Sequence, residues 1–242
     1  RIAIESDQRG WQSTVAWFDC HTSKFGRGIF TRGNPSELKY EPLRDDKRLN
    51  SFKPTVSFEV TPPFSLVNNL SLSAFNRSFF NLEKIRAGKK IAHYQDFYYP
   101  LDAVKNWNRM YGTAGFQQYQ AVFPMEFAEA ATQEIAATIH ASKQGSFLGV
   151  LKTFGNREPA GLLSFARHGA TIALDFPFKG ERTLELFNSL DKIVLATGGA
   201  LNLSKDARMS REMFRLGYPY WEKFLKFRDP MASSHLAQRL LD

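Results

Sequence analysis

The sequence predicts an α+β fold in which helices pack on one face of an antiparallel sheet. Short segments that alternate apolar and polar residues, typical of strands, dominate the first sixty residues and recur between residues 116 and 176. Two segments with apolar residues three and four positions apart, near residues 127–139 and 182–197, are typical of amphipathic helices. From residue 116 the predicted order is strand, helix, three strands, helix and strand, which favours this fold class.

The composition limits the class of protein. Of the 242 residues, 43% are hydrophobic, 23% charged and 14% aromatic, which excludes disordered and collagen-like chains. No apolar run approaches the roughly 20 residues that span a membrane. The single cysteine, Cys20, allows no intrachain disulfide and indicates a reducing, cytoplasmic location. The chain begins at Arg1 without a methionine, so we expect a fragment or a trimmed product.

The net charge of +8 would suit nucleic acid, an anionic membrane surface or a phosphorylated ligand. Basic residues are interspersed with acidic ones and no RNP-type motif occurs, so we do not expect a nucleic-acid partner. The five histidines lie far apart in sequence, so we expect no metal site. Walker, G-x-G-x-x-G and nucleophile-elbow motifs are absent, so the sequence supplies no cradle for the phosphates of a nucleotide cofactor.

In the N-terminal part, alternation predicts strands at residues 1–5, 13–19 and 28–31. A long excursion follows at residues 41–61, where prolines are frequent. Asp102 is then the predicted N-cap of a helix that ends at Gly112.

The C-terminal half has the clearer pattern. A strand is predicted at residues 116–123, and the helix after it carries Phe127, Ala131, Ile135 and Ile139 on one face. The remaining predicted elements are strands at 146–154, 161–167 and 170–176, a helix at 182–197, a short strand at 201–203 and a helical tail from 207 to 242.

Strand alternation predicts a polar face on the sheet. Ile172, Leu174 and Phe176 should face the helices, which turns the intervening residues to the other side. The other face then gathers Gln118, Gln120, Lys152, Phe154, Thr171, Ala173 and Asp175. Amides, an ammonium and a carboxylate beside an aromatic ring suit a polyhydroxylated ligand. The alternative is that these residues form the solvent-exposed face of a two-layer sheet, and spacing alone favours that interpretation. After the last strand, Lys205 and Arg208 are either solvated charges or cations that meet an anionic group.

Several segments, in one order along nearly the whole chain, resemble a known family. They are residues 16–19 (AWFD), 26–28 (GRG), 31–33 (TRG), 97–102 (FYYPLD), 107–112 (WNRMYG), 115–120 (GFQQYQ), 146–148 (SFL), 152–155 (KTFG), 175–177 (DFP), 204–208 (SKDAR) and 228–230 (RDP). The family is that of the FAD-linked sugar oxidases of the vanillyl-alcohol-oxidase superfamily. Within it the sequence is most similar to the decaprenylphosphoryl-ribose oxidases and more distantly to the aldonolactone oxidases.

The resemblance implies a domain organisation. Residues 1–203 would form the substrate-binding cap domain, and residues 204–242 would return to the FAD-binding domain. The N-terminal lobe, which in the family holds most FAD contacts, has no counterpart in this chain, so we expect the chain alone to bind FAD poorly and to lack oxidase activity.

The resemblance also assigns roles to residues. Lys205 would be the catalytic and cofactor-binding cation beside the flavin ring, where it stabilises developing negative charge. The substrate-binding positions would be Tyr98, Gln118, Gln120, Lys152, Phe154, Thr171, Ala173, Asp175 and Asn202. The family has a cysteine at position 173, a tyrosine at 202 and an asparagine at 171 in its mycobacterial members, so the sugar that this chain takes is left open.

The implied substrate is a sugar or a polyprenyl-phosphate sugar, oxidised at a hydroxyl by hydride transfer to flavin. The implied partners are the FAD-binding lobe and a short-chain dehydrogenase, and a lipid substrate would be compatible with peripheral membrane association. The alternative is a non-catalytic binding domain for a phosphorylated sugar or polyprenyl ligand, or a protein-interaction module.

Overall fold

The computed structural model describes residues 2–21, 27–36, 56–205, 207–229 and 231–242, without the side chains of residues 3, 4 and 7. Its strands are β1 Ser13–Phe18, β2 Gly28–Gly33, β3 Val56–Ser57, β4 Val104–Lys105, β5 Phe116–Phe123, β6 Gly149–Phe154, β7 Gly169–Pro177 and β8 Ala200–Leu201. Its helices are α1 Ile2–Gln8, α2 Asn69–Ile85, α3 Tyr94–Tyr98, α4 Ala128–Ala141, α5 Glu181–Ala196, α6 Arg211–Gly217, α7 Trp221–Leu225 and α8 His235–Leu240.

A six-stranded antiparallel sheet organises the described structure, with the spatial order β2-β1-β6-β7-β5-β8. Strand β7 lies between β6 and β5, and strand β1 joins the far side of β6. Strands β3 and β4 form a separate parallel pair. The predicted fold class, an antiparallel sheet with helices against it, is therefore confirmed.

The main core lies between one face of this sheet and helices α4 and α5. Ile172, Leu174 and Phe176 of β7 have no exposed surface, as alternation predicts. They belong to one cluster with Ile135 of α4 and Leu190 of α5. Complete burial of such side chains stabilises the fold by roughly 1.5–3 kcal/mol each. This packing leaves the opposite face of β5, β6 and β7 available for other contacts.

The strand predicted for residues 1–5 is wrong, because the chain forms α1 there. The Ser6 hydroxyl donates to the Ile2 carbonyl at 2.8 Å, and the Arg9 backbone N–H donates to the Glu5 carbonyl at 3.2 Å. Such contacts between residues four apart belong to a helical turn. Five alternating residues are too few to separate the period of a strand from that of a helix.

The helix predicted from Asp102 to Gly112 is also wrong. Two 3₁₀ turns, Pro100–Ala103 and Trp107–Tyr111, flank the short strand β4 instead. Between them, Asn106 has a φ of 56°, in the left-handed region, where a right-handed helix cannot continue. Apolar residues three positions apart occur in a 3₁₀ turn as well as in an α-helix. The spacing in this segment therefore also fits a single helix.

Residues 161–167 form turns and bends rather than the predicted strand. They connect β6 to β7, and both of these strands are already paired on each side, so the sheet has no free edge there for another strand. Phe127 precedes α4 and is exposed, so it does not extend the buried face of that helix. The excursion predicted at residues 41–61 lies mostly outside the described residues.

Helix α2 has no counterpart among the sequence predictions. It begins at the N-cap Asn68, whose side chain accepts from the backbone of Leu70 and Ser71, while the Ser71 hydroxyl accepts from the Asn68 backbone. Its apolar residues include exposed Leu70 and Ile85 as well as buried Leu72, so they form no single stripe.

A buried ion pair fixes α2 to the edge of the sheet. Asp19, directly after β1, is 1% exposed and accepts from the Arg27 guanidinium at the start of β2, with 3.1 Å to Nε. The Asn76 amide of α2 donates to the other carboxylate oxygen at 2.7 Å, and the His21 backbone N–H donates to it at 3.0 Å. One carboxylate therefore joins β1, β2 and α2.

Candidate functional site

The predicted polar residues of the central strands do share one face of the sheet. Gln118 lies directly opposite Asp175, and Gln120 lies opposite Ala173. On the other side of β7, Lys152 lies opposite Thr171. Since directly opposed residues in an antiparallel pair project to the same side, this register gathers the predicted set across three neighbouring strands.

Asp175 lies at the buried centre of this face. The Gln118 side-chain amide donates to its Oδ1 at 2.6 Å, and the Asp175 backbone N–H donates to the Ser146 hydroxyl at 3.1 Å. Among the described residues, the other carboxylate oxygen, Oδ2, has no hydrogen-bond partner, and the same holds for the nearby buried hydroxyl of Tyr111. A buried carboxylate with one unsatisfied oxygen is costly to ionise.

Burial raises the pKa of Asp175 from its ordinary value of 3.8 to about 6, although the Gln118 hydrogen bond and the positive charge of Lys205 act in the opposite direction. Burial also raises the pKa of the Tyr111 hydroxyl, and the Asp175 charge adds to that effect. The carboxyl group therefore exchanges its proton near neutral pH, a property that recurs at functional sites.

A second hydrogen-bonded group holds Gln120. The Asn202 side-chain amide donates to Gln120 Oε1 at 2.8 Å, and Gln120 Nε2 donates to the Thr171 hydroxyl at 3.4 Å. Thr171 in turn donates to the Ala121 carbonyl at 2.9 Å, so its hydroxyl proton is used within the sheet. This chain of contacts fixes the rotamer of Gln120, while Asn202 also accepts from the Ser204 backbone and hydroxyl.

Two cavities lie beside these residues. The smaller, of about 380 Å³, is polar on the side formed by Gln120, Asn202, Ser204 and Arg208. The larger, of about 1610 Å³, is a groove with an aromatic wall. Its aromatic lining includes Trp17, Phe75, Phe79, Phe97, Tyr98 and Phe147. Trp107, Gln118 and Lys205 line both cavities, so they stand at the boundary between the smaller cavity and the aromatic groove.

Arg208 anchors the segment after Lys205 to α5. Its guanidinium contacts both carboxylate oxygens of Asp191, at 2.8 and 2.9 Å, and also donates to the Asn188 side chain at 3.0 Å. Tyr119 donates to the same carboxylate at 3.0 Å. Arg208 thus positions the turn that carries Lys205, whose backbone N–H donates to the Asn202 carbonyl at 3.1 Å.

The structure divides the predicted site residues into three groups. Tyr98, Lys152, Phe154 and Lys205 line the groove, and Gln120 and Asn202 line the smaller cavity, with Gln118 and Lys205 shared by both. Thr171, Ala173 and Asp175 lie on the same face but line neither cavity, so they support the floor.

Sequence reasoning missed several groove residues. Phe75 and Phe79 come from α2, and Trp17 joins them because β1 pairs with β6 in a register that places Trp17 opposite Val150. The Trp17 ring meets that of Phe79 edge-on at 4.9 Å. Phe75 and Phe79, four residues apart, are the signal that could have revealed this helix face.

The buried position of Asp175 predicts an unusual pH dependence of stability. The folded-state pKa of about 6 lies above the ordinary 3.8, so the folded protein binds this proton more tightly than the unfolded chain does. The free energy of unfolding should therefore fall as pH rises through this interval, by at most about 3 kcal/mol. Asp175→Asn removes the ionisable group. Urea denaturation at several pH values in this interval should therefore show a smaller decrease in the free energy of unfolding for the variant than for the parent protein.

Asp102→Asn, a substitution at an exposed carboxylate, is the matched control and should leave the slope unchanged. If the free energies of unfolding of Asp175→Asn and the parent protein differ by the same amount at every pH, the prediction is contradicted.

The fold and this site define an α+β domain in which a small pocket adjoins a large aromatic groove. Along almost its whole length the chain is similar to decaprenylphosphoryl-β-D-ribose oxidase of Mycolicibacterium smegmatis, with 33% identity over 257 aligned positions that cover 99% of this chain and 54% of the relative. The resemblance to the FAD-linked oxidases predicted from the sequence is therefore confirmed.

A shorter similarity exists to an uncharacterised protein from the mprA 5′ region of Streptomyces coelicolor, 36% identical over 97 residues, which cover 38% of this chain and 26% of that protein. No family model matches the chain. The chain spans about half the length of its mycobacterial relative.

Among the described residues, no helix has the length and apolar character needed to cross a bilayer. In the same part of the chain, no three His, Cys, Asp or Glu side chains are grouped as metal ligands would be.

Proposed function

We propose that this chain forms the substrate-binding part of an FAD-dependent oxidoreductase that oxidises a hydroxyl of a lipid-linked sugar. The observation that carries the proposal is the position of Lys205 and Gln118 at the boundary between the amide-bearing side of the smaller cavity and the aromatic groove. Such a boundary suits a substrate with a polar, reacting head and an apolar tail. The relative whose name contains a ribose and a decaprenyl phosphate supports the same division.

The described residues fit the ring end of a flavin better than its phosphates. Lys205 is an exposed cation beside a wall of amides, and Trp107 adds an aromatic surface there. The sequence contains no glycine-rich phosphate motif, so contacts to the pyrophosphate would come from outside the described part of the chain. When bound, FAD supplies the acceptor for the hydride that leaves the sugar carbon.

The side chains of this chain would bind and orient the substrate. Gln118, Gln120 and Asn202 offer amide donors and acceptors to the sugar hydroxyls. Lys152, exposed at the groove, would contact the phosphate, and Phe154 would pack beside it. Lys205 would stabilise the negative charge that develops as the carbon–hydrogen bond breaks. The aromatic groove would hold the prenyl chain and exclude water.

A second candidate function is a binding domain without catalysis. The missing phosphate motif favours it, because a domain that only binds a phosphorylated sugar or a polyprenyl ligand needs no flavin. Both candidates use the same pocket and groove, so ligand affinity alone does not separate them.

Reconstitution with FAD separates the two. The longest natural form of the protein, purified with added FAD, should be yellow, and a polyprenylphosphoryl ribose should bleach the flavin band under anaerobic conditions. The 242-residue chain, which carries no phosphate motif, should bind FAD weakly in equilibrium dialysis. If the longest form binds the ligand but holds no flavin, the oxidoreductase proposal is wrong and the non-catalytic binding domain is the function that fits.

A further inference from the structure

We propose that the surface around the mouth of the groove docks on an anionic lipid bilayer. This surface, the mouth face, consists of exposed apolar and aromatic residues on α2, on α3 and next to them. Its members are Phe75, Leu82, Ile85, Ile91, Tyr94, Tyr98 and Tyr99. The proposal goes beyond the proposed function, because it concerns where the groove opens and requires no flavin chemistry.

Helix α2 has two distinct sides. Leu72 and Asn76, four residues apart, are 3% and 0% exposed and face the sheet. Leu82 and Ile85, three apart, are 43% and 83% exposed and lie on the outer side. A helix that buries one side and still exposes large apolar residues on another leaves a face without a partner in the described part of the chain.

The exposed apolar residues continue to the groove. Phe75, Ile91, Tyr98 and Tyr99 all line it, and each is also about half exposed. A surface that covers the mouth face would therefore also cover the opening of the groove. A bilayer placed there would let an apolar chain pass from the lipid phase into the groove without crossing water, which the hydrophobic effect would favour.

The charges on this segment select an anionic surface. Residues 69–99 contain five lysines and arginines against two acidic residues. The five are Arg77, Lys84, Arg86, Lys89 and Lys90, and all are exposed. Arg77 and Lys84 are seven residues apart, so they share an exposed side of α2. Apolar residues flanked by cations are the pattern of a helix that lies in a lipid interface.

Three exposed tyrosines on the mouth face suit a boundary between lipid and water. Tyr94, Tyr98 and Tyr99 each combine an aromatic ring with a hydroxyl, the combination enriched at the boundary between lipid and water. The Tyr98 hydroxyl is held at 2.6 Å from the Ser13 hydroxyl, so its ring has a fixed position at the mouth.

Vesicle co-sedimentation of the 242-residue chain tests the proposal. The protein should bind phosphatidylglycerol-containing vesicles, bind pure phosphatidylcholine vesicles weakly, and lose binding as salt rises. The double variant Leu82→Glu/Ile85→Glu should weaken binding by about tenfold or more, because it places two charges where apolar side chains would enter the interface. The control is Leu216→Glu, at a leucine on α6 that is 67% exposed and lies outside the mouth face.

Thermal unfolding followed by circular dichroism verifies that both variants are folded. If the parent protein does not bind anionic vesicles, or if the double variant binds them as the parent does, the proposal is wrong. Light scattering adds a further outcome: a dimer that the double variant disrupts, without vesicle binding by the parent, would assign the mouth face to a second copy of the chain. None of these measurements uses FAD, so a negative result would refute membrane docking without refuting the proposed oxidoreductase.

Discussion

Arg27→Met should lower the free energy of unfolding by about 3 kcal/mol, the lower end of the range for removing one partner from a buried ion pair, because Asp19 is buried whereas the Arg27 side chain is 27% exposed. The substitution keeps much of the apolar stem but leaves the fully buried Asp19 carboxylate without its cation. Among the described residues, the Asn76 amide and the His21 backbone N–H still donate to this carboxylate in the variant. Urea denaturation at neutral pH measures the loss.

The control is Arg86→Met. Arg86 lies 3.7 Å from Glu83 in a pair whose arginine side chain is 60% exposed, so its loss should cost less than about 1 kcal/mol. The double variant Asp19→Asn/Arg27→Met should recover part of the stability, because the buried charge is then gone. Equal losses for Arg27→Met and Arg86→Met would contradict a special contribution from the buried pair.

Lys205→Met should lower the rate of flavin reduction by about 10²–10³-fold in the FAD-loaded full-length protein, the range observed when one group that stabilises transition-state charge is removed. The expectation rests on the proposed function and on the position of Lys205 at both cavities. Rapid mixing with substrate under anaerobic conditions measures the rate, and substrate titration measures affinity separately.

Lys205→Arg keeps the positive charge and should retain more of the rate than Lys205→Met does. Lys192→Met, on the exposed side of α5, is the control and should not change the rate. If Lys205→Met weakens substrate binding but leaves the rate of flavin reduction unchanged, Lys205 is a binding residue and its catalytic role is refuted.

The local pattern predicted the strands of the central sheet well. Strand β5 has the predicted bounds, and β7 exceeds its prediction by one residue at each end. The two-residue period of β7 also predicted correctly that Ile172 faces the helices and that Asp175 faces the opposite side of the sheet. Such strands alternate over eight or nine residues, which is long enough for the period to be distinct.

Local pattern failed where few residues or unusual backbone angles decide the structure. Asn106, in the left-handed region, divides residues 102–112 into two turns, and no spacing of apolar residues reports that angle. Helix α2 escaped prediction because its apolar residues, exposed Leu82 and Ile85 as well as buried Leu72, form no single stripe. If the mouth face docks on lipid, that departure from the usual pattern has a functional cause.

By itself, the sequence determined the two sides of each strand, since the pleat turns successive side chains in opposite directions whatever the neighbours are. Only the tertiary structure decided which strands lie side by side and in what register, because those choices depend on contacts between distant residues. The Gln118–Asp175 hydrogen bond joins residues 57 apart, and the contact of Trp17 with Phe79 joins β1 to α2. The pocket and groove arise from these distant contacts, so the sequence supplied the chemical groups and the fold supplied their arrangement.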